Sequence, residues 1–421
     1  MVKKIKLPNG LRIVFVPRQG PTATVLVLVE AGSEYETKNI NGLSHFLEHM
    51  CFKGTKKRPK PGMISRELDA LGAESNAFTN QEYTGYWAKV EKHRLEKILE
   101  LVTDLYLNPI FNSEEIEKER GVVTEELNMY EDTPMRKAGE IWMNLMYGDQ
   151  PAGWDIGGTK KVIKRMKRED FIKYRAKHYV ASKTIVVVSG NFDLRRVEKF
   201  IRGQFGKLPK ESRVPKTRTK FLQKSPRTVV KFKKSEQDHL VLGVPGLNAF
   251  DRRRYVLYVL SHVLGGGMSS RLFHRIREEL GAAYYVRASS DESIDHGEFA
   301  VASGTNHAKT ELVIRAILEE FEKLKRKPVS AKELKKAKDH MTSGIVMGLE
   351  TSEQLANFYG IQELIYKKTA SPEEIIRKIQ AVSAKEIRAL AKILFKKNTL
   401  NLAVIGPYKQ GDKLKKLLTV K

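Results

Sequence analysis

Cysteine is nearly absent from this chain, and long apolar runs are absent altogether. Cys51 stands alone among 421 residues, so no intrachain disulfide can form, as suits a reducing compartment. It reads as a small buried apolar residue rather than a ligand or nucleophile. The longest apolar stretches, such as Thr24-Val-Leu-Val-Leu-Val29, fall well short of a membrane span. The opening segment, Met1 to Gly10, enters a strand pattern at once and lacks the apolar core and cleavage site of a signal peptide. A cytoplasmic protein without membrane attachment is the expectation.

Acidic residues are scarce relative to basic ones: 50 Asp+Glu face 76 Lys+Arg, a formal net charge of +26. The lysines are scattered along helices and tails, and no arginine–aromatic platform or nucleic-acid module accompanies them. The excess therefore reads as a solvated coat, and no nucleic-acid partner is expected. A chain of 421 residues, 41% of them hydrophobic, can bury a substantial core and should divide into at least two domains.

The most informative feature present is His45-Phe46-Leu47-Glu48-His49. It reads His-x-x-Glu-His, the reverse of the His-Glu-x-x-His zincin motif. On a helix His45 and His49, four residues apart, face the same way, so both rings can reach one metal ion. Glu48 falls beside them, where a carboxylate can serve as a base. Such a motif needs a third ligand from elsewhere. The segment Glu119-Arg-Gly-Val-Val-Thr-Glu-Glu-Leu-Asn-Met-Tyr-Glu-Asp-Thr-Pro134 offers candidates. Glu119 and Glu126 lie nearly two helical turns apart and share a face within about 20°.

The two halves of the chain repeat one another. Leu43-Ser-His-Phe-Leu-Glu-His-Met50 is echoed by Leu260-Ser-His-Val-Leu-Gly-Gly-Gly-Met268 at an offset of 217 positions. The helix opening at Ser113 returns at Ser330 with the same offset, each with serine as the expected N-cap. Thr184-Ile-Val-Val-Val-Ser-Gly190 is matched near the end by Leu400-Asn-Leu-Ala-Val-Ile-Gly406. A basic, proline-containing stretch from Lys207 to Lys234 falls between the halves and reads as an extended linker. The expected division is residues 1–206, a linker at 207–228, and residues 229–421.

In the first half the patterns predict strands at 11–17 and 23–30, helices at 41–53 and 61–71, and a strand pair within 75–89. Helices follow at 91–106, 113–131, 135–147 and 168–178, then a strand at 184–189. Strands clustered with helices in this way suggest an α+β fold, an antiparallel-rich sheet layered with helices in each of two related domains. The halves differ in one respect. His262 is kept where the first half has His45, but Gly265 and Gly266 replace Glu48 and His49. His262 thus reads as a structural echo without its companions.

On these residues the chain resembles the pitrilysin-type zinc peptidases, the inverzincins, in their short-chain, processing-peptidase-like branch. That family's pattern is His-x-x-Glu-His, 76 residues, then Glu, which from His49 lands on Glu126. The resemblance implies one Zn²⁺ per chain held by His45, His49 and Glu126, with Glu48 as the catalytic base and Glu119 as a supporting catalytic carboxylate. Gly72-Ala-Glu-Ser-Asn-Ala-Phe-Thr79 is similar to the family's edge strand, where Asn76 and Ala77 would contact the substrate backbone. The segment from Ser270 to Tyr284 is similar to the one carrying the family's Arg/Tyr pair. By spacing these are Arg277, to hold a peptide carbonyl, and Tyr284, to donate to an oxyanion. The match runs nearly the full length, with about four motifs in order. It implies an endopeptidase acting on peptides or unfolded segments within a clamshell chamber, working as a homodimer or with a related subunit. The alternative is a non-catalytic or regulatory subunit of a heterodimeric peptidase of the same family.

Overall fold

Residues 25–29 and 185–188 are apolar at every position rather than at alternate ones. A strand of that kind is stable only with both faces covered. The computed structural model describes residues 2–211, 214–408 and 412–418, and it covers both faces of each. In the first half the strands are β1 (Lys3–Lys6), β2 (Arg12–Pro17), β3 (Thr22–Val29), β4 (Glu74–Thr79), β5 (Thr84–Glu91) and β6 (Thr184–Gly190). The helices are α1 (Leu43–Cys51), α2 (Met63–Ala70), α3 (Leu95–Leu107), α4 (Ser113–Glu131), α5 (Pro134–Tyr147), α6 (Lys160–Ile163), α7 (Arg168–His178) and α8 (Leu194–Phe205).

The second half repeats the series with β7 (Arg227–Phe232), β8 (Asp238–Pro245), β9 (Ala283–Glu292), β10 (Gly297–Thr305) and β11 (Asn401–Gly406). Its helices are α9 (Arg254–Gly265), α10 (Thr310–Arg326), α11 (Ala331–Met347), α12 (Ser352–Tyr366), α13 (Pro372–Ala381), α14 (Ala384–Leu394) and α15 (Asp412–Lys416). The first sheet runs β1-β2-β6-β3-β5-β4 and the second β7-β11-β8-β10-β9. Strand for strand, the second order repeats the first without β1. In each sheet one pair is parallel, β2 with β6 and β7 with β11, and the remaining pairs are antiparallel. The expected duplication and the antiparallel-rich mixed sheets are both present.

Each unit is a sheet buried on two sides. In the first, Ile13, Phe15, Val25, Val27, Val186 and Val188 face the helical layer that includes α1, α3 and α7. The alternate residues Val14, Val16, Leu26, Leu28, Ile185 and Val187 face Ala356, Tyr359 and Leu364 of α12. Polar contacts fix that helix: Ser352 Oγ lies 2.8 Å from Thr24 Oγ1, and Glu363 accepts from Lys4 Nζ at 3.0 Å. In the second unit Leu240, Leu242, Phe299, Val301, Leu402 and Val404 face α9, α10 and α14. The reverse face, with Val241, Ala403 and Ile405, packs on Ala138, Trp142 and Met146 of α5.

The compact units therefore depart from a sequential division. The first comprises Met1–Asn128, Asp155–Thr217 and Met347–Ala370; the second comprises Met129–Trp154, Arg218–Val346 and Ser371–Lys421. The expected cut at 206 and 229 is corrected in two ways. The helices α5 and α12, one from each half, cover the other half's sheet, because each sheet has a second apolar face that its own half leaves open. The stretch 207–228 is also not a free tether. Ala181 N–H and Ser182 N–H donate to the carbonyls of Pro209 and Lys210 at 2.7 and 3.0 Å, and half-buried Lys216 Nζ lies 2.5 Å from carboxylate oxygens of both Glu34 and Glu82. Beyond the unit boundary at 217, Gln223 Nε2 donates to Leu400 O at 3.0 Å.

Candidate metal centre

The 41–53 pattern forms α1, and its apolar spacing decides which way the motif faces. Leu43, Ser44, Phe46, Leu47, Met50 and Cys51 are buried. That leaves His45, Glu48 and His49, at i, i+3 and i+4, half-buried on one face. The helix begins at Gly42, with φ of +96°. A Cβ there would lie 2.5 Å from Gly157 O, so only glycine fits this close approach. The first-turn N–H groups are satisfied from outside the helix. Glu36 Oε2 accepts from Gly42 N–H at 2.7 Å and Glu36 Oε1 from Ser44 N–H at 2.6 Å. A negative group at a helix N-terminus is favourable. Burial nonetheless pushes the Glu36 carboxyl up to about 7, against the pull of these donors.

The 113–131 helix is present with the expected bounds as α4, but its cap is corrected. Asn112 Oδ1, rather than Ser113, accepts from Glu114 N–H at 2.8 Å and Glu115 N–H at 3.3 Å. In α11 the expected Ser330 does cap, accepting from Glu333 N–H at 3.3 Å. Ile116, Glu119 and Val123 form the buried stripe of α4, and Glu126 continues it beside α1. His45 Nε2 lies 3.5 Å and His49 Nε2 3.6 Å from Glu126 Oε2. One ligand atom from each of these three residues lies within 4.8 Å of the other two. Donors bound to zinc at about 2.0–2.1 Å in a tetrahedron stand roughly 3.3 Å apart, so the spacing fits with small adjustment. Two imidazoles and a carboxylate also suit that ion chemically.

The outer contacts orient these donors. His49 Nδ1 lies 2.9 Å from Glu119 Oε1, which places the ring proton on Nδ1 and the lone pair on Nε2, toward Glu126. Glu119 Oε2 is 2.5 Å from Lys53 Nζ. Burial works against ionising Glu119, but the hydrogen bonds from His49 and Lys53 outweigh it and hold its carboxyl below the usual range. For Glu48 the balance is reversed. Burial pushes its pKa up, opposed by a 2.7 Å hydrogen bond from Thr79 Oγ1 to Glu48 Oε2.

Thr79 ends β4, the last strand of its sheet, which pairs with β5 alone. Asn76 and Ala77 sit on that strand, and Ala77 N–H donates to Asn76 Oδ1 at 2.8 Å. Arg277 and Tyr284 belong to the second unit. Arg277 lies in a π-helical segment, Phe273–Glu279, and its Nη1 donates to Tyr284 O at 2.7 Å. The Tyr284 side chain projects into solvent, with the residue 72% exposed. Cys51 is fully buried with Sγ 3.5 Å from Tyr86 Oη, and burial pushes its thiol up to about 11, which makes it inert.

Sequence reasoning missed Lys53, Thr79 and Glu36. Lys53 carried a signal, standing one helical turn after His49. Thr79 and Glu36 carried none, because only the tertiary fold brings them to α1.

Comparison with known proteins identifies the family of the chain. Residues 12–160 match the family model described as Insulinase (Peptidase family M16), and residues 165–341 match Peptidase M16 inactive domain. A protein of Bacillus subtilis named an uncharacterized zinc protease is 33% identical over 97% of this chain and 98% of its own length. One of the same description from Streptomyces coelicolor is 32% identical over 97% of this chain and 90% of its own. The crystal structure of a protease from Helicobacter pylori superposes with a TM-score of 0.91 at 25% identity, covering 97% of this chain and 99% of that one. A Pseudomonas fluorescens structure titled peptidase M16 inactive domain shares the fold at 19% identity, with a TM-score of 0.88 over 97% of this chain and 98% of that one. No described helix is long and apolar enough to cross a membrane. With relatives this similar across almost its whole length, the chain belongs to peptidase family M16.

Proposed function

We propose that the protein is a zinc-dependent endopeptidase whose metal ligands are His45, His49 and Glu126. The observation that carries this reading is the convergence of those three side chains from α1 and α4, with the remaining nitrogen of His49 held by Glu119. When bound, the zinc ion supplies Lewis acidity beside the scissile carbonyl. Glu48 supplies the proton chemistry. Thr79 engages its Oε2, leaving Oε1 to take a proton from the attacking water and return it to the leaving amine. Its raised pKa strengthens it for that task. The free edge of β4 beside α1 suits an extended peptide, so Asn76 and Ala77 are proposed as backbone contacts. Such pairing selects unfolded segments and small peptides over folded proteins. Arg277 and Tyr284 are proposed as the pair that holds the substrate, supplied by a second copy of the chain. The outward-facing Tyr284 ring beside Arg277 supports this role.

Metal analysis, peptide-digest mass spectrometry and solution mass on the wild type beside Glu48→Gln test the reading together. Glu48→Gln should keep one zinc per chain and lose about 10²–10⁴-fold or more in peptide cleavage. Unchanged cleavage by this variant removes Glu48 from the chemistry, and a monomeric mass for the active species removes the second copy.

A further inference from the structure

The second unit repeats α1 and α4 as α9 and α11, and it too brings two imidazoles together. His262 occupies the position of His45 in the repeat, while Gly266 stands where the first unit has His49. The glycine determines where the His262 ring goes. A Cβ on Gly266 would lie 2.1 Å from His262 Nδ1, so the ring occupies space that any side chain would fill. Its far nitrogen, Nε2, reaches α11 and lies 2.9 Å from His340 Nδ1. The two ring centroids are 4.8 Å apart, against 4.7 Å for His45 and His49. The first unit draws both imidazoles from one helix, and the second draws one from each of two.

The pair lines a cavity of about 310 Å³ together with Gly267, Ser269, Ser270 and Lys336. His340 is exposed and His262 half-buried, so an ion can reach both. Two imidazole nitrogens on a common first-row ion stand within a few tenths of an ångström of the separation seen here. In binding, whichever ring donates in the His262–His340 hydrogen bond shifts its proton to its other nitrogen, and the ion takes the place of the shared proton.

We propose that His262 and His340 form a second metal site, independent of the first unit and selective for imidazole-binding divalent ions such as Ni²⁺, Cu²⁺ and Zn²⁺. The donor set argues for this class. The position of Glu126 is Ser343 in the repeat and that of Glu119 is Lys336. Glu333, which also lines the cavity, is held by Arg271 through bonds of 2.6 and 2.9 Å. A pair of imidazole nitrogens binds these ions but not Mg²⁺ or Ca²⁺, which take oxygen ligands. Without a carboxylate the site is weaker than the first.

Calorimetric titration of the metal-free full chain with Ni²⁺ tests the proposal, beside His340→Ala, His262→Ala and His49→Ala. The wild type should bind two equivalents, the second more weakly, and Mg²⁺ should give no second equivalent. His340→Ala and His262→Ala should each lose only the weaker equivalent, and His49→Ala should lose or weaken only the tighter. Since His340 is exposed, its variant should keep the wild-type circular dichroism and Tm. A second equivalent that persists in both His340→Ala and His262→Ala overturns the site, as does a wild type that binds one equivalent alone. A tighter equivalent that persists unchanged in His49→Ala would count against the first-unit reading and leave this one standing.

Discussion

The helix pair α1 and α4 presents two imidazoles and three carboxylates, Glu48, Glu119 and Glu126, whereas its repeat, α9 and α11, presents two imidazoles, a lysine and Glu333, which Arg271 already holds. The sheets behind them nevertheless share one strand order and one parallel pair. The proposed metal ligands therefore contribute little to specifying the fold. The second unit reaches the same topology with Ser343 and Lys336 at the positions of Glu126 and Glu119, because what both units bury is a sheet with apolar side chains on both faces. The proposed chemistry rests on a few positions of a scaffold that tolerates their exchange.

The comparison also holds on the reverse faces, where α12 covers the first sheet and α5 the second. Both covers need a close approach, reached in opposite ways. In the first unit the helix provides the glycine: a Cβ on Gly360 would lie 2.9 Å from Leu28 Cδ1. In the second the sheet provides it, since a Cβ on Gly243 would lie 2.7 Å from Trp142 Cζ2. Trp142 is 2% exposed and its Nε1 donates to Asn401 O at 3.0 Å. The largest effect is therefore expected from Trp142→Ala, about 3–5 kcal/mol of stability, from lost burial, a cavity and an orphaned carbonyl. Tyr359→Ala, at the matching position of α12, should cost less because Tyr359 is less deeply buried. Equal shifts in the urea midpoint for the two variants would show that the covers are energetically alike.

That exchange of helices was not legible in the sequence, and the reason is physical. An amphipathic helix such as 135–147 declares that it has a buried face but does not declare which sheet receives it. What could be read was whatever rests on local periodicity. The helices at 113–131 and 168–178 have the bounds that their spacing implied, and the His-x-x-Glu-His face of α1 follows from four-residue geometry. Contacts across long sequence separations stayed hidden. Thr79 reaches Glu48 only because the edge strand runs beside α1, and Glu36 reaches the N-terminus of α1 only through the preceding loop. The exchange of His49 for a cross-helix partner, His340, was invisible for the same reason.

A second difference separates α7 from its repeat α14. The last residue of α7 is His178, 2% exposed against the rings of Tyr35 and Tyr174, whereas the last residue of α14 is Leu394. Burial, aided by Lys183 and Lys177, pushes His178 from 6.5 down to about 4. An unfolded histidine binds its proton near 6.5, so between these values the unfolded chain holds more protons than the native one. The stability this group contributes is complete above 6.5 and lost as pH falls toward 4. The loss should approach about 3 kcal/mol across that window. His178→Leu, which copies the second unit, should flatten the pH dependence of Tm between 6.5 and 4. An unaltered slope in that variant would assign the acid sensitivity to other groups.

The smallest and most discriminating effect concerns Glu119, whose counterpart is Lys336. In the first unit this position accepts from His49 Nδ1 and pairs with Lys53. In the second, Lys336 Nζ donates to Ser269 O at 2.6 Å and makes no comparable use of a ligand imidazole. If Glu119 acts by fixing the His49 tautomer and raising its basicity, Glu119→Gln should weaken zinc binding by about 10–100-fold, or about 1.4–2.7 kcal/mol. The glutamine carbonyl can still accept from Nδ1–H, so the ring orientation survives and the charge alone is removed. Chelator competition measures the affinity directly, apart from any peptide cleavage. An affinity within twofold of the wild type would mean that orientation suffices, and the charge of Glu119 would then serve to neutralise Lys53 rather than to tune the metal.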